Sequence, residues 1–129
     1  TRIGSSAASD VYKRQPPFNV NKLAQVYATE SLKDKNFVNR SVKHNQYWSR
    51  KFKNFFDKKN IISNETSANF FLLNFDFCKL SANYVLKKLE KKGIILRSME
   101  SYKMKNKLRV TIGSSKENNK FIKNLDYIL

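Results

Sequence analysis

Between Val38 and Phe56 the apolar residues recur every three or four positions, and over 68–75 that period is lost. Val38, Val42, Asn45, Trp48, Phe52, Phe55 and Phe56 fall along one face of a helix, and most of that face is aromatic. The stretch ANFFLLNF at 68–75 is instead a compact apolar run with the residue types of a buried strand. LRVTI at 108–112 alternates with period two. A chain that switches period in this way reads as helix faces laid against a sheet.

The remaining segments fit that architecture. Pro16-Pro17 gives a rigid extended lead-in. Leu23, Val26, Tyr27 and Leu32 then mark a first helix, and KDKN at 33–36 reads as a short turn or helix join. The long aromatic helix stops at Asp57-Lys58-Lys59-Asn60. Ser81 is placed as the N-cap of a helix with Ala82, Val85, Leu86 and Leu89 on one stripe, and Gly93 supplies its left-handed stop. IILR at 94–97 reads as a second strand and 108–112 as a third. Ser114 and Glu117 have capping-box spacing ahead of Phe121, Ile122, Leu125, Ile128 and Leu129. The predicted order is two helices, strand, helix, two strands and helix. The fold class is α+β, a small sheet covered by helices.

The formal charge of +16 suggests a nucleic-acid binder, but its distribution argues against one. Twenty of the 26 basic residues are lysines, scattered singly or in pairs, and fifteen asparagines accompany them. Lys, Asn, Ile and Phe share AT-rich codons, so genome composition accounts for much of the bias. Pairs such as Lys87–Lys88 and Lys91–Lys92 sit on polar sides or at the ends of amphipathic segments, as on a solvated surface. A small basic module that binds nucleic acid remains the alternative from another class. It would show a steep salt dependence of affinity for DNA or RNA. No run of eighteen apolar residues is present, so no membrane span is expected, and the lone Cys78 fits a reducing, cytoplasmic setting.

Catalytic residue types are sparse. The three glycines form no phosphate loop, His44 has no second histidine at ligand spacing, and the ten carboxylates form no pair. Cys78 is expected to be an inert buried thiol. The arginines are more informative. In the 108–112 strand Leu108, Val110 and Ile112 point to one side and Arg109 to the other, and Arg97 closes the preceding strand. Arginine's planar fork holds a carboxylate or phosphate through two parallel hydrogen bonds, which lysine cannot do. Spacing alone leaves an ordinary exposed strand arginine and an anion clamp both open.

At these residues the chain resembles a known family. PPFNVNKLAQ, SANFFLLNF, KKGIILRSM and NKLRVTIGSSKEN, in this order and spacing, are similar to the C-terminal part of histidinol-phosphate aminotransferases, class I and II enzymes that depend on pyridoxal 5'-phosphate. The resemblance runs from Pro16 to about Leu129, and LRVTIG-x-x-x-EN is its most specific piece. It implies the small C-terminal domain of the aspartate aminotransferase fold (fold type I), with an interdomain helix. The parent would be a cytoplasmic homodimer that moves an amino group between L-histidinol phosphate and 2-oxoglutarate in histidine biosynthesis. Its partners would be small anionic substrates, with neither nucleic acid nor membrane. Another aminotransferase of the class, such as an aromatic one, or a related phosphothreonine decarboxylase, is the runner-up.

By the same resemblance Arg109 grips the substrate carboxylate or phosphate, Arg97 helps to hold the phosphate end, and Asn19 lies near an active site. Asn69 and Tyr102 fall near the same cleft, with a structural role expected for each. The Schiff-base lysine and the groups that hold the cofactor would lie upstream, so the chain alone is expected to be inactive. The first helix and the sheet face carrying Arg109 should then show uncovered apolar surface.

SSAASDVYKRQ at 5–15 departs from everything after it. It lacks the Lys/Asn bias and the apolar period, and it can be encoded by a transposase-type sequencing adapter. Residues 1–15 are therefore expected to be a translated scar, with residues 16–129 the native segment.

Overall fold

A computed structural model describes residues 20–129. The expectations for Pro16-Pro17, for Asn19 and for residues 1–15 lie outside the described residues. The chain divides into two compact units, one through Val38 and one from Asn39 onward.

In the first unit, α1 spans Lys22–Lys33, and the Asn21 side chain accepts a hydrogen bond from the Ala24 N–H at 2.7 Å. The expected turn at 33–36 shrinks to one residue. Asp34 ends α1 and its carboxylate accepts from the Phe37 N–H at 2.8 Å, which starts the next helix, α2, Lys35–Lys58. The α1 helix buries none of its residues. Leu23 is 70% exposed and Tyr27 71%, the uncovered apolar face the sequence leads one to expect.

In the second unit the remaining elements are β1 (Ile62–Ser63), β2 (Phe70–Asn74), α3 (Ala82–Glu90), β3 (Arg97–Ser98), a 3-10 turn (Glu100–Tyr102), β4 (Lys107–Thr111) and α4 (Ser115–Ile128). The strands form one antiparallel sheet in the order β1-β2-β4-β3. Phe71 and Leu73 of β2 and Leu108 and Val110 of β4 are buried on one face. Trp48, Phe52 and Phe56 of α2, Val85 and Leu89 of α3, and Phe121 and Leu125 of α4 complete the core with them. This is the predicted α+β layer, with three helices packed against a single sheet face.

Local chemistry sets the boundaries. Ser81 caps α3, accepting from the Tyr84 N–H, and of the expected stripe Ala82, Val85 and Leu89 are buried while Leu86 is partly so. Gly93 has φ 68°, where a Cβ would be strained, and the Ile94 N–H returns to the Leu89 carbonyl at 3.0 Å. Ser114 and Glu117 form the capping box of α4.

Three readings need correction. The run at 68–75 is not buried on both sides: β2 alternates, and Phe70 remains 39% exposed on the face away from the helices. The strand expected over 94–97 pairs only at Arg97–Ser98. Ile94 and Leu96 pack against the core as the chain leaves the Gly93 turn, and Ile95 faces solvent, so this apolar run fills space instead of joining the ladder. Finally, β1 was not foreseen. It pairs through only two residues because the Asn64 side chain, at 2.8 Å from the Leu72 N–H, replaces its next backbone partner.

Candidate functional site: a guanidinium pair on the open face of the sheet

Neighbouring strands set the site. Arg109 on β4 is the register partner of Arg97 on β3 and of Leu72 on β2, which gives a transverse row Leu72–Arg109–Arg97. The neighbours of Arg109 in its own strand, Leu108 and Val110, are buried in the core, so the pleat turns Arg109 to the opposite face. Directly opposed residues have Cβ atoms about 4.5–5.5 Å apart, and like charges so placed destabilise a sheet. Among the described residues the ion pairs are Lys33–Glu30, Lys53–Asp57 and Lys59–Asp126, so neither arginine has a carboxylate partner there.

Aromatic rings take up part of that strain. The Arg97 Nη2 donates to the Tyr102 hydroxyl at 2.7 Å, and its Cζ lies 5.3 Å from the centroid of the same ring. The Arg109 Cζ lies 5.5 Å from the Phe70 ring. A cation over an exposed ring gains about 0.5–1 kcal/mol. That is comparable to the roughly 0.2–1 kcal/mol scale of a cross-strand pair, so the rings offset the repulsion without neutralising the charge. The face keeps its positive potential.

The β3–β4 hairpin positions Tyr102. The Ser98 hydroxyl accepts from the Glu100 N–H at 3.4 Å, the Tyr102 N–H donates to the Met99 carbonyl at 3.0 Å, and Lys103 (φ 60°) turns the chain back. Asn106 (φ 54°) anchors the other end, accepting from the Ala82 N–H at 2.7 Å and donating to Asp76 at 3.1 Å. Beyond β4, Asn118 brackets Gly113 with two bonds of 2.9 Å. His44 Nε2 donates to the Gly113 carbonyl at 2.9 Å, because a carbonyl can only accept, and Trp48 donates to Ser115 at 3.2 Å. Both ends of the strand that carries Arg109 are therefore fixed to helices.

Of the residues singled out from sequence, Arg97 and Arg109 are register partners on neighbouring strands, and Tyr102 contacts Arg97. Asn69 is not among these contacts: its carbonyl accepts from the Ile112 N–H at 2.7 Å and extends the β2–β4 ladder. Sequence reasoning missed Lys107, Phe70 and Leu72, which share the face. Period two from Arg109 would have found Lys107. Cys78 is half-buried, and burial pushes its thiol pKa up, away from the reactive thiolate. No cluster of three or more metal-ligating side chains occurs among the described residues. No helix among them is long and apolar enough to cross a membrane. No lysine among them is buried. The guanidinium face is open, and the surface groove lined by Asn45, Ser49, Arg50 and Thr66 belongs to other elements.

Comparison with known proteins gives this arrangement a context. The family model described as "Aminotransferase class I and II" matches residues 3–125. A histidinol-phosphate aminotransferase of Pelagibacter ubique is 61% identical over 109 residues, covering 84% of this chain and 30% of the relative. One from Campylobacter jejuni strain RM1221 is 36% identical over 133 residues, covering 99% and 36%. The chain thus spans about a third of the length of the curated relatives it matches. Among solved structures, the histidinol-phosphate aminotransferase of Clostridium acetobutylicum superposes with a TM-score of 0.78 at 24% identity, over 95% of this chain and 37% of that one. A putative aminotransferase of Burkholderia pseudomallei gives 0.76 at 16% identity, over 96% and 38%. These two likenesses establish a shared fold.

Proposed function

The chain belongs to the class I and II aminotransferase family, and from that premise we propose that it is the C-terminal part of a histidinol-phosphate transaminase, exchanging an amino group between L-histidinol phosphate and 2-oxoglutarate in histidine biosynthesis. The observation that carries this reading is the register pairing of Arg97 with Arg109 on an open face, neither with a carboxylate partner among the described residues. Two opposed guanidiniums are unfavourable until an anion lies between them. A phosphate monoester, with charge near −2 and three acceptor oxygens, can engage both forks. The 61% identity to a protein named histidinol-phosphate aminotransferase supports the same substrate.

In this reading the chain is the substrate-clamping domain. Fixed guanidiniums orient the anionic substrate and lower the entropic part of the barrier. Pyridoxal 5'-phosphate, on which the family generally depends, supplies the electron sink when bound. We assign its lysine and phosphate contacts to the rest of the parent protein. The open face needs a second wall. We assign that wall, together with Asn19, to the large domain and to a partner subunit of a cytoplasmic homodimer. Residues 1–15 are read as an adapter scar. Because the family match reaches back to residue 3, sequencing the source DNA upstream of the Pro16 codon decides the point.

The activity is tested by assaying the full-length parent with 2-oxoglutarate and a panel of amino donors, beside the 129-residue chain supplied with pyridoxal phosphate. L-histidinol phosphate should give a kcat/KM at least about ten-fold above that for aromatic amino acids, the difference expected from a charged contact made to one donor only. The chain alone should give none. A preference for aromatic donors would move the assignment to the aromatic enzymes. Turnover by the isolated chain would refute the division of labour.

A further inference from the structure

The geometry points to Tyr102 as the residue that positions Arg97 and makes this face selective for a phosphate over a carboxylate. The inference rests on the clamp reading above and goes beyond it, because that reading needs only the two arginines.

Tyr102 acts on Arg97 in two ways at once. Its hydroxyl accepts the Nη2–H at 2.7 Å, and its ring lies beneath the guanidinium, 5.3 Å from Cζ. The first contact fixes where the fork points, and the second fixes its tilt. Arg97 needs this more than Arg109 does. Arg109 stands in an inner strand, flanked by β2 and β3, and is half-buried. Arg97 is exposed, on a two-residue strand at the sheet edge, and its long side chain would otherwise sample many rotamers. The tyrosine is itself held by the hairpin, through the 3-10 turn and the left-handed Lys103.

Accepting from Arg97 uses one lone pair of the phenol and leaves its own proton free to donate. The face then presents two forks and a hydroxyl donor. A carboxylate saturates one fork, and Arg109, held without Tyr102, is sufficient for it. A phosphate has oxygens enough for both forks, so it is the anion that gains when Arg97 is held in place. Tyr102 therefore raises affinity for the phosphorylated substrate specifically, by positioning a binding residue and not by chemistry of its own.

The test uses the full-length enzyme, with L-histidinol phosphate and the unphosphorylated L-histidinol as paired substrates and inorganic phosphate as a competing anion. Tyr102→Phe keeps the ring and removes the hydroxyl, and Tyr102→Leu removes both. The Phe variant should raise KM for L-histidinol phosphate about five-fold, the scale of one hydrogen bond to a charged group in partly exposed surroundings, with kcat unchanged. The Leu variant should raise it further, and inhibition by inorganic phosphate should weaken in step. KM for L-histidinol should not move. A packing role would shift both substrates together, and that outcome overturns the proposal. So does a Phe variant with wild-type KM when Arg97→Lys raises it, which would leave the clamp standing without Tyr102. If neither Arg97→Lys nor Arg109→Lys separates the two substrates, the clamp reading itself fails, and this inference with it.

Discussion

At the scale of single residues, Ser114 and Glu117 show how a few atoms hold the strand end that follows Arg109. The Glu117 carboxylate accepts from the Ser114 hydroxyl at 2.7 Å and the Ser114 N–H at 2.8 Å, and these bonds hold its pKa below the usual carboxylate range. A lowered folded-state pKa contributes stability that is present above the unfolded value and lost as pH falls through the folded one. Ser114→Ala should therefore lower Tm most near neutrality. The gap from wild type should narrow as acidification protonates the carboxylate. It should not vanish, because the hydroxyl also accepts from the Glu117 N–H at 3.4 Å, a bond that does not titrate. Thermal unfolding from pH 3 to 7 checks this, and a gap that widens on acidification would contradict it. Gly113 belongs to the same device. A Cβ there would stand 2.8 Å from the Glu117 carboxylate, so the capping box needs glycine for space, whereas Gly93 is required for its backbone angle.

At the scale of elements, α2 organises the core. Phe52 is fully buried, and its ring lies 5.5–6.1 Å from those of Trp48, Phe56, Phe71 and Phe121, so one side chain joins a helix, a strand and the C-terminal helix. Phe52→Ala should cost about 3–5 kcal/mol by denaturant unfolding. Tyr127→Ala, at a position 86% exposed, should stay within about 0.5 kcal/mol. Near-equal effects would mean that the core is not centred on α2. The helices were legible in the sequence because a buried face repeats every three to four residues, and Ser81, Gly93 and the Ser114–Glu117 pair mark their ends by local chemistry. The edge strands were not. Two-residue pairing at Ile62–Ser63 and Arg97–Ser98 leaves no period to read, and Ile94–Leu96 has a strand's composition while packing as a loop. That Arg109 leaves the core was legible from alternation. That Arg97 faces it was not, because the register depends on left-handed turns at Lys103 and Asn106, residue types that do not advertise φ above zero as glycine does.

At the scale of the whole molecule, α2, α3 and α4 cover one side of the sheet and leave the other to the arginines, so stability and the proposed recognition lie on opposite faces of the same strands. The charge of +16 is spread over lysines along the chain, while the site rests on two of only six arginines. The central claim is that Arg97 and Arg109 grip one anion together. A double-mutant cycle on KM for L-histidinol phosphate in the full-length enzyme, with Arg97→Lys, Arg109→Lys and the pair, tests it most directly. If both forks hold the same phosphate, either substitution breaks the shared geometry. The double variant should then lose markedly less than the product of the single effects, a coupling of about 0.5–3 kcal/mol. Strictly multiplicative losses, or single variants with wild-type KM, would mean that the two guanidiniums act apart and would contradict the account.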